Sequence, residues 1–446
     1  MVMEDFLNVF NINLAAWVAE VGDNPLQAMW ALFASWGWII LLWALLYIAR
    51  GMWLFKKQSK YAMARTWVLL AVDVPKATEQ TVKAVENMFA HLAGAHSPPT
   101  FMEKWWNGQL QDTISCEIIS IEGHIQYLLR TTRKLRDLVE ASLYAQYPDA
   151  EITEVEDYTL KIPTNYPNEQ YECFGLEMMP ARGYAYDVYP LKTYMDFEHQ
   201  LTGEFKDPLA VLLEAFGRLG PGEQAWYQII LTPIAQNDYV AKAVKEIKKI
   251  TGQKAEVKPT MLDKALDLPM QGLGLVGDVM FGAAEGAPKK PENALNSRMW
   301  NLTPGERKVV ESIEKKMSKI VFGVKIRFLY VAKKEVFVKS KILQSFIGAI
   351  KQYNTNDMGS LKLETKRVGV SSALLFFKAR RNSVRKERLI RAYRARTDWA
   401  GLKRFHLATD EIASLWHLPV SLFVKAPQVK KTESKKSEPP INLPFA

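Results

Sequence analysis

Apolar positions repeat with period two in one set of segments and every three to four residues in another, and the two sets interleave. WVLLAVDVP (67–75) alternates and stops at a proline, which reads as a strand. TEQTVKAVENMFAHLAG (78–94) spaces Val82, Val85, Phe89 and Leu92 as one helix face, closed by Gly94. TISCEIISIEG (113–123) and HIQYLLRTT (124–132) predict a hairpin about Glu122-Gly123. A helix over 133–148 and a strand over 150–159 follow. The order β-α-β-β-α-β is that of a ferredoxin-like unit, placed at 62–160.

Residues 165–370 carry a second α+β pattern. YECFGLEMM, AYDVYPLKTY, 224–234, 323–334 and 359–367 read as strands, and 207–219, 237–252, 303–319 and 340–354 as helices. Thr303 and Glu306 have capping-box spacing around Pro304. A Gly/Pro-rich insertion, 256–298, interrupts this domain. Residues 371–425 read as a basic helical segment containing a short helix capped by Thr409, and 426–446 as a disordered Lys/Ser/Pro tail.

Ahead of these stands Met29–Ala49, uncharged and long enough at 1.5 Å per residue to match a hydrocarbon core of about 30 Å. It predicts a transmembrane helix over 28–56, with 1–27 an extracytoplasmic amphipathic segment. Acidic Glu4, Asp5, Glu20 and Asp23 precede it, and Arg50, Lys56, Lys57, Lys60 and Arg65 follow. The positive-inside rule then puts the N-terminus outside and the bulk of the chain in the cytoplasm, on a single-pass cell-membrane protein. Trp30, Trp36, Trp38, Trp43, Tyr47 and Trp53 suit a membrane anchor. The expected fold class is therefore α+β: a transmembrane helix, ferredoxin-like domains and a basic helical C-terminal segment.

The formal charge of +10 favours acidic partners without choosing among them. Its densest block, 378–404, sets eleven Lys or Arg against Glu387 and Asp398. Lys378, Arg380, Arg381, Arg385, Lys386, Arg388, Arg391, Arg394 and Arg396 are candidate contacts to an anionic surface, whether lipid, nucleic acid or protein. A solvated helix face is the structural alternative. Nucleic acid is favoured by interleaved aromatics, and here only Tyr393 and Trp399 are available.

Motifs for catalysis are sparse. No GxxxxGK[ST] or GxSxG occurs, and the six histidines lack metal-ligand spacing. Gly272, Gly274 and Gly277 match GxGxxG but follow a proline-containing segment rather than a strand. His406 and His417 read as packing or capping residues, and Glu154, Glu156 and Asp157 as a solvated strand end. Cys116 and Cys173 are the only two cysteines, too few for a disulfide framework, and without a CxxC or CxxH companion they give a structural zinc site no support. No catalytic group, cofactor or metal is expected, and the protein reads as non-enzymatic.

Three stretches, 117–159 with YAQYPDAEITEVEDY (144–158) as its most specific piece, 405–420 with TDEIASLWHLP (409–419), and SEPPINLPFA at the end, together resemble a membrane-anchored family of candidate-phyla bacteria. In that family the region precedes a HerA/FtsK-like ATPase related to type IV secretion and conjugation motors. This sequence reaches Ala446 without a Walker motif, so against that pattern it is either the anchor half of a split system or a truncated copy. The first is the expectation taken: a non-enzymatic, self-associating component that docks a separate ATPase. Leu415, Trp416, His417, Pro439, Pro440 and Leu443 are the implied partner tether. Membrane lipid, a homo-oligomer and a separate HerA/FtsK-like ATPase are the expected partners, with nucleic acid bound by 378–404 as the alternative function.

Overall fold

Nine strands form one antiparallel sheet, in a computed structural model that describes residues 38–75, 80–198, 205–252, 302–364 and 377–419. The strands are β1 (Trp67–Asp73), β2 (Ile114–Ile121), β3 (His124–Thr132), β4 (Glu151–Glu154), β5 (Tyr171–Pro180), β6 (Glu223–Pro233), β7 (Val321–Lys333), β8 (Leu361–Glu364) and β9 (Phe405–Ala408). Their order is β4-β1-β3-β2-β6-β7-β5-β8, with β9 paired to β7.

The order contains the same pattern twice. With helices α2 (Val82–Leu92) and α3 (Arg136–Tyr144), the first half runs β-α-β-β-α-β and lays its strands 4-1-3-2. With α4 (Ala210–Gly217) and α7 (Lys339–Lys351), the second half does the same in mirror order across the sheet. The halves meet where β2 pairs antiparallel with β6, from Ile114–Leu231 to Ile121–Gln224. Both strands are buried almost throughout, and their pairing leaves neither as an open edge. The β2–β3 turn is the expected one: Glu122 and Gly123 both take positive φ, 54° and 85°, as a two-residue hairpin turn requires.

Between β6 and β7 lie α5 (Gln236–Ile250) and α6 (Pro304–Met317), which pack on each other. Thr303 and Glu306 form the capping box at the start of α6. The insertion 256–298 lies outside the described residues, as do 1–27 and 426–446. β7 is long enough to serve two partners on one edge: β5 pairs along 327–333 and β9 along 321–324.

One face of the sheet is apolar. Phe328 of β7 stacks on Phe346 of α7 at 4.1 Å between ring centroids, and Tyr227 of β6 meets the same ring at 5.8 Å. In the first half Trp416, just past α9 (Thr409–Leu415), sits against Phe89 of α2 and Tyr127 of β3. A single apolar core runs across both halves, from Val85 and Phe89 to Phe346 and Ile350.

Two segments differ from expectation. AYDVYPLKTY forms 3-10 turns, Tyr184–Val188 and Tyr194–Phe197, rather than a strand. The first turn places Val188 and Tyr189 together in a small second core with Tyr239, Ile313 and Val321. Phe405–Ala408, expected within a helical segment, is instead β9, because the free edge of β7 offers it four register pairs.

A separate compact unit comprises Met1–Arg65 with Pro99–Leu110. Its described part holds α1 (Trp38–Ala64) and a π-helical turn, Glu103–Asn107. The expected transmembrane helix, and the single-pass membrane localisation drawn from it, are corrected here. Among the described residues no helix is long and apolar enough to cross a membrane. Within the described part of α1, Trp38–Ala49 precedes the first charge, Arg50, a rise of about 18 Å against the roughly 30 Å of a hydrocarbon core. Lys56, Lys57 and Lys60 follow within the same helix. Of the anchor residues, Trp30 and Trp36 lie outside the described residues, Trp38 begins α1, and Trp43, Tyr47 and Trp53 are exposed on it.

Trp416 is fully buried between the two aromatic neighbours named above. Trp416→Ala is expected to destabilise the protein by about 3–5 kcal/mol, measured by urea unfolding.

Candidate functional site

Opposite the apolar face, the sheet carries a row of polar side chains. Glu117 of β2 pairs in register with Gln228 of β6, Gln228 with Arg327 of β7, and Arg327 with Glu177 of β5. All four are completely buried. Each sits amid apolar residues, in ISCEIISI, WYQIIL, VKIRFLY and CFGLEMM. Burial of such groups is costly unless every one finds a partner.

The partners come from α8 (Lys378–Ala395) and the loop after it. Arg327 Nε donates to Glu177 at 2.7 Å, and its other nitrogens donate to the carbonyls of Ala392 and Ala400 at 3.0 and 2.7 Å. The Leu402 amide donates to the second Glu177 oxygen at 2.6 Å. Arg396 grips Glu117 through two nitrogens, at 2.9 and 3.1 Å, and also pairs with Asp157. Gln228 Nε2, Ser115 Oγ and Tyr158 OH donate to the same Glu117 carboxylate.

Arg396 reaches this position through a left-handed backbone, φ 49°, at the C-terminus of α8. Gly401 takes φ 90°, and a Cβ there would collide with the Glu177 carboxylate. The loop is thus shaped to the ionic row.

Burial alone would raise the Glu117 carboxyl, but the charge and hydrogen bonds of Arg396, with Ser115 and Tyr158, outweigh it and hold Glu117 below 4.5. Burial opposes and Arg396 with Thr159 prevails at Asp157 too, which is held below 3.8. Nearby, burial lowers Lys325 to about 8, with Arg327 adding to the effect. Its ammonium donates to the Ala400 carbonyl at 2.8 Å.

The basic stretch therefore divides. Arg396 is buried, Arg394 donates to the carbonyls of Thr159 and Ile162, Lys386 pairs with Glu172, and Arg391 reaches Asn165 and Glu387. Tyr393 is buried beside Trp226. Lys378, Arg380, Arg381 and Arg388 are exposed, and Arg385 is half-buried. Arg380, Arg381, Arg385, Arg388 and Arg391 line a cavity of ≈ 900 Å³ with Val384, Leu389 and Trp399, and Glu177 lies at its base. Among the described residues, Arg380, Arg381 and Arg388 have no ion-pair partner. Trp399 is 71% exposed at the rim.

The carboxylates read as a solvated strand end are split as well. Glu154 meets Arg133 and Arg136 near the surface, whereas Asp157 belongs to the buried network. Leu415, Trp416 and His417, the implied tether, are buried, so in this fold they present no docking surface. His417 Nδ1 lies 2.8 Å from the Ala413 carbonyl and Nε2 3.1 Å from Asp207. His406 faces Asp187 at 2.8 Å. Pro439, Pro440 and Leu443 lie outside the described residues.

Glu117, Gln228, Arg327 and Glu177 went unnoticed in the sequence. The available signal was one polar residue near the middle of each of four apolar strand runs. Fold and site define an α+β protein on a continuous antiparallel sheet, with an arginine-lined groove built over a buried ionic row. The chain belongs to the family described as a domain of unknown function (DUF8128), whose model matches residues 62–431. No curated protein matches it.

Glu117→Gln removes the charge that faces buried Arg396, and is expected to lower stability by about 3–5 kcal/mol in urea unfolding. The pH dependence has a definite sign. Glu117 and Asp157 are both depressed in the folded state, so the unfolded chain binds more protons in acid. Their contribution is complete above the ordinary carboxylate values of 4.5 and 3.8 and is lost as pH falls through the lower folded ones. Unfolding free energies measured across acid pH should decline more steeply for the parent than for Glu117→Gln.

Proposed function

We propose that this protein is a non-enzymatic binding scaffold whose arginine groove takes single-stranded nucleic acid. One observation carries the reading: Arg380, Arg381 and Arg388 stand exposed and without an ion-pair partner among the described residues, on a groove rimmed by exposed Trp399. Guanidinium groups suit phosphate because their planar donors meet two oxygens at once. An indole face offers a stacking platform that any base can use. A solvated helix face explains the arginines but not their arrangement around a groove with an aromatic rim.

The resemblance supplies the setting for this reading: a self-associating component of a type IV secretion or conjugation-like assembly that works with a HerA/FtsK-like ATPase. The groove would hold a strand within that assembly. The tether role of Leu415, Trp416 and His417 is not part of the proposal, because those side chains are buried.

Fluorescence anisotropy with a labelled oligothymidylate, repeated over a range of salt concentrations, tests the binding. Substituting Arg380, Arg381 and Arg388 together by alanine should weaken binding at least about tenfold and reduce the log–log salt slope by about 2. Trp399→Ala should cost about 1–3 kcal/mol of affinity. Lys308→Ala with Lys315→Ala, which removes exposed charge from α6, serves as the control and should change little. Equal losses in the control and the arginine variant would reduce the binding to general basicity and sink the proposal.

A further inference from the structure

The loop before β2 does something its sequence position does not require. In the compact unit of α1 and Pro99–Leu110, this loop is fastened firmly to the helix. Trp53 Nε1 donates to the Trp105 carbonyl at 3.3 Å, and the Arg50 guanidinium lies 4.5 Å from the centre of the Trp105 ring. Gly108, at φ 70°, lies so close to the backbone of Lys57 that a Cβ would collide with it. Arg65 donates to the Leu110 carbonyl.

A loop held this tightly could have turned its large apolar side chains inward. Instead Phe101 is 74% exposed, Met102 62% and Trp106 64%. On the helix, Trp43 and Tyr47 stack with ring centroids 5.8 Å apart and are themselves exposed. Apolar surface on this scale marks an interaction site. What occupies it is indicated by the neighbouring charge. Arg50, Lys56, Lys57 and Lys60 all lie on the same helix, in which Trp38–Ala64 contains no acidic residue.

We propose that the loop apex Phe101–Trp106, with the adjoining turns of α1, docks on an anionic lipid surface. Trp and Phe sit at the boundary between headgroups and acyl chains, while Lys and Arg reach the phosphates. Interfacial docking needs only side-chain-deep insertion from one side, so it does not call for a helix of spanning length. The site is separate from the arginine groove and stands whether or not nucleic acid binds there.

Cosedimentation of the full chain with phosphatidylcholine vesicles, with and without phosphatidylglycerol, is the test. The parent should partition preferentially onto the phosphatidylglycerol vesicles. Phe101→Ser, Met102→Ser and Trp106→Ser combined should lower partitioning at least about tenfold. Those side chains are exposed, so the circular dichroism of this variant should match the parent. Lys56→Gln with Lys57→Gln should cut the preference for anionic vesicles by about fivefold per residue while sparing the neutral ones. The proposal is overturned by equal partitioning of the serine variant and parent. It is also overturned if light scattering without lipid shows a dimer that the serine substitutions dissociate, for the patch would then join two copies of this chain.

Discussion

The buried row Glu117–Gln228–Arg327–Glu177 is the constraint on which the rest of the structure turns. An arginine and a carboxylate removed from water gain from each other only if distance and donor geometry are right and the remaining lone pairs and N–H groups are filled. Here they are filled by α8 and the loop behind it, through Arg396, the carbonyls of Ala392 and Ala400 and the amide of Leu402. A slip of one residue along any of the four strands would turn its polar member to the apolar face, among Phe216, Phe328 and Phe346. The row therefore specifies register across the junction of the two halves, where apolar pairing between β2 and β6 would tolerate a shift.

A second set of buried charges ties the flanking pieces down. Lys316 on α6 lies 2.9 Å from Glu411 on α9 and donates to the carbonyls of Asp187 and His406. Burial, reinforced by the neighbouring charge of Asp410, lifts Glu411 above its ordinary 4.5 even with that ammonium beside it. Asp187 takes Lys242 and His406, so one carboxylate joins α5, the 3-10 turn and β9. These contacts connect segments between 55 and 219 residues apart, and they hold the helices that bracket the insertion against the sheet.

Viewed this way, the run of basic residues from 378 to 404, α8 and the loop after it, is two things. Its C-terminal part, with Arg394 and Arg396, is spent on carbonyls and buried carboxylates, together with Lys386 on Glu172. Its N-terminal part keeps Arg380, Arg381 and Arg388 in water. Composition counts both parts equally; only the first is needed for folding.

The period-two and period-3.6 patterns were enough to place most strands and helices, because each face is buried locally and alternation records it. The Glu122-Gly123 turn and the Thr303/Glu306 cap were legible for the same reason: their chemistry is contained in adjacent residues. The uncharged run at 29–49 suggested a spanning helix, but among the described residues α1 carries its apolar turns directly into a basic stretch, Arg50 to Lys60, and no helix is long and apolar enough to cross a membrane. Pairing across the sheet was not legible. Which strand lies beside β2, what the lone Glu117 faces, and whether Arg396 meets water or a carboxylate 279 positions away depend on contacts between segments that no local period encodes. So the sequence by itself determined most of the elements and their α+β order, while the tertiary structure alone decided the continuous sheet, β9, the burial of Trp416 and which arginines remain open to a ligand.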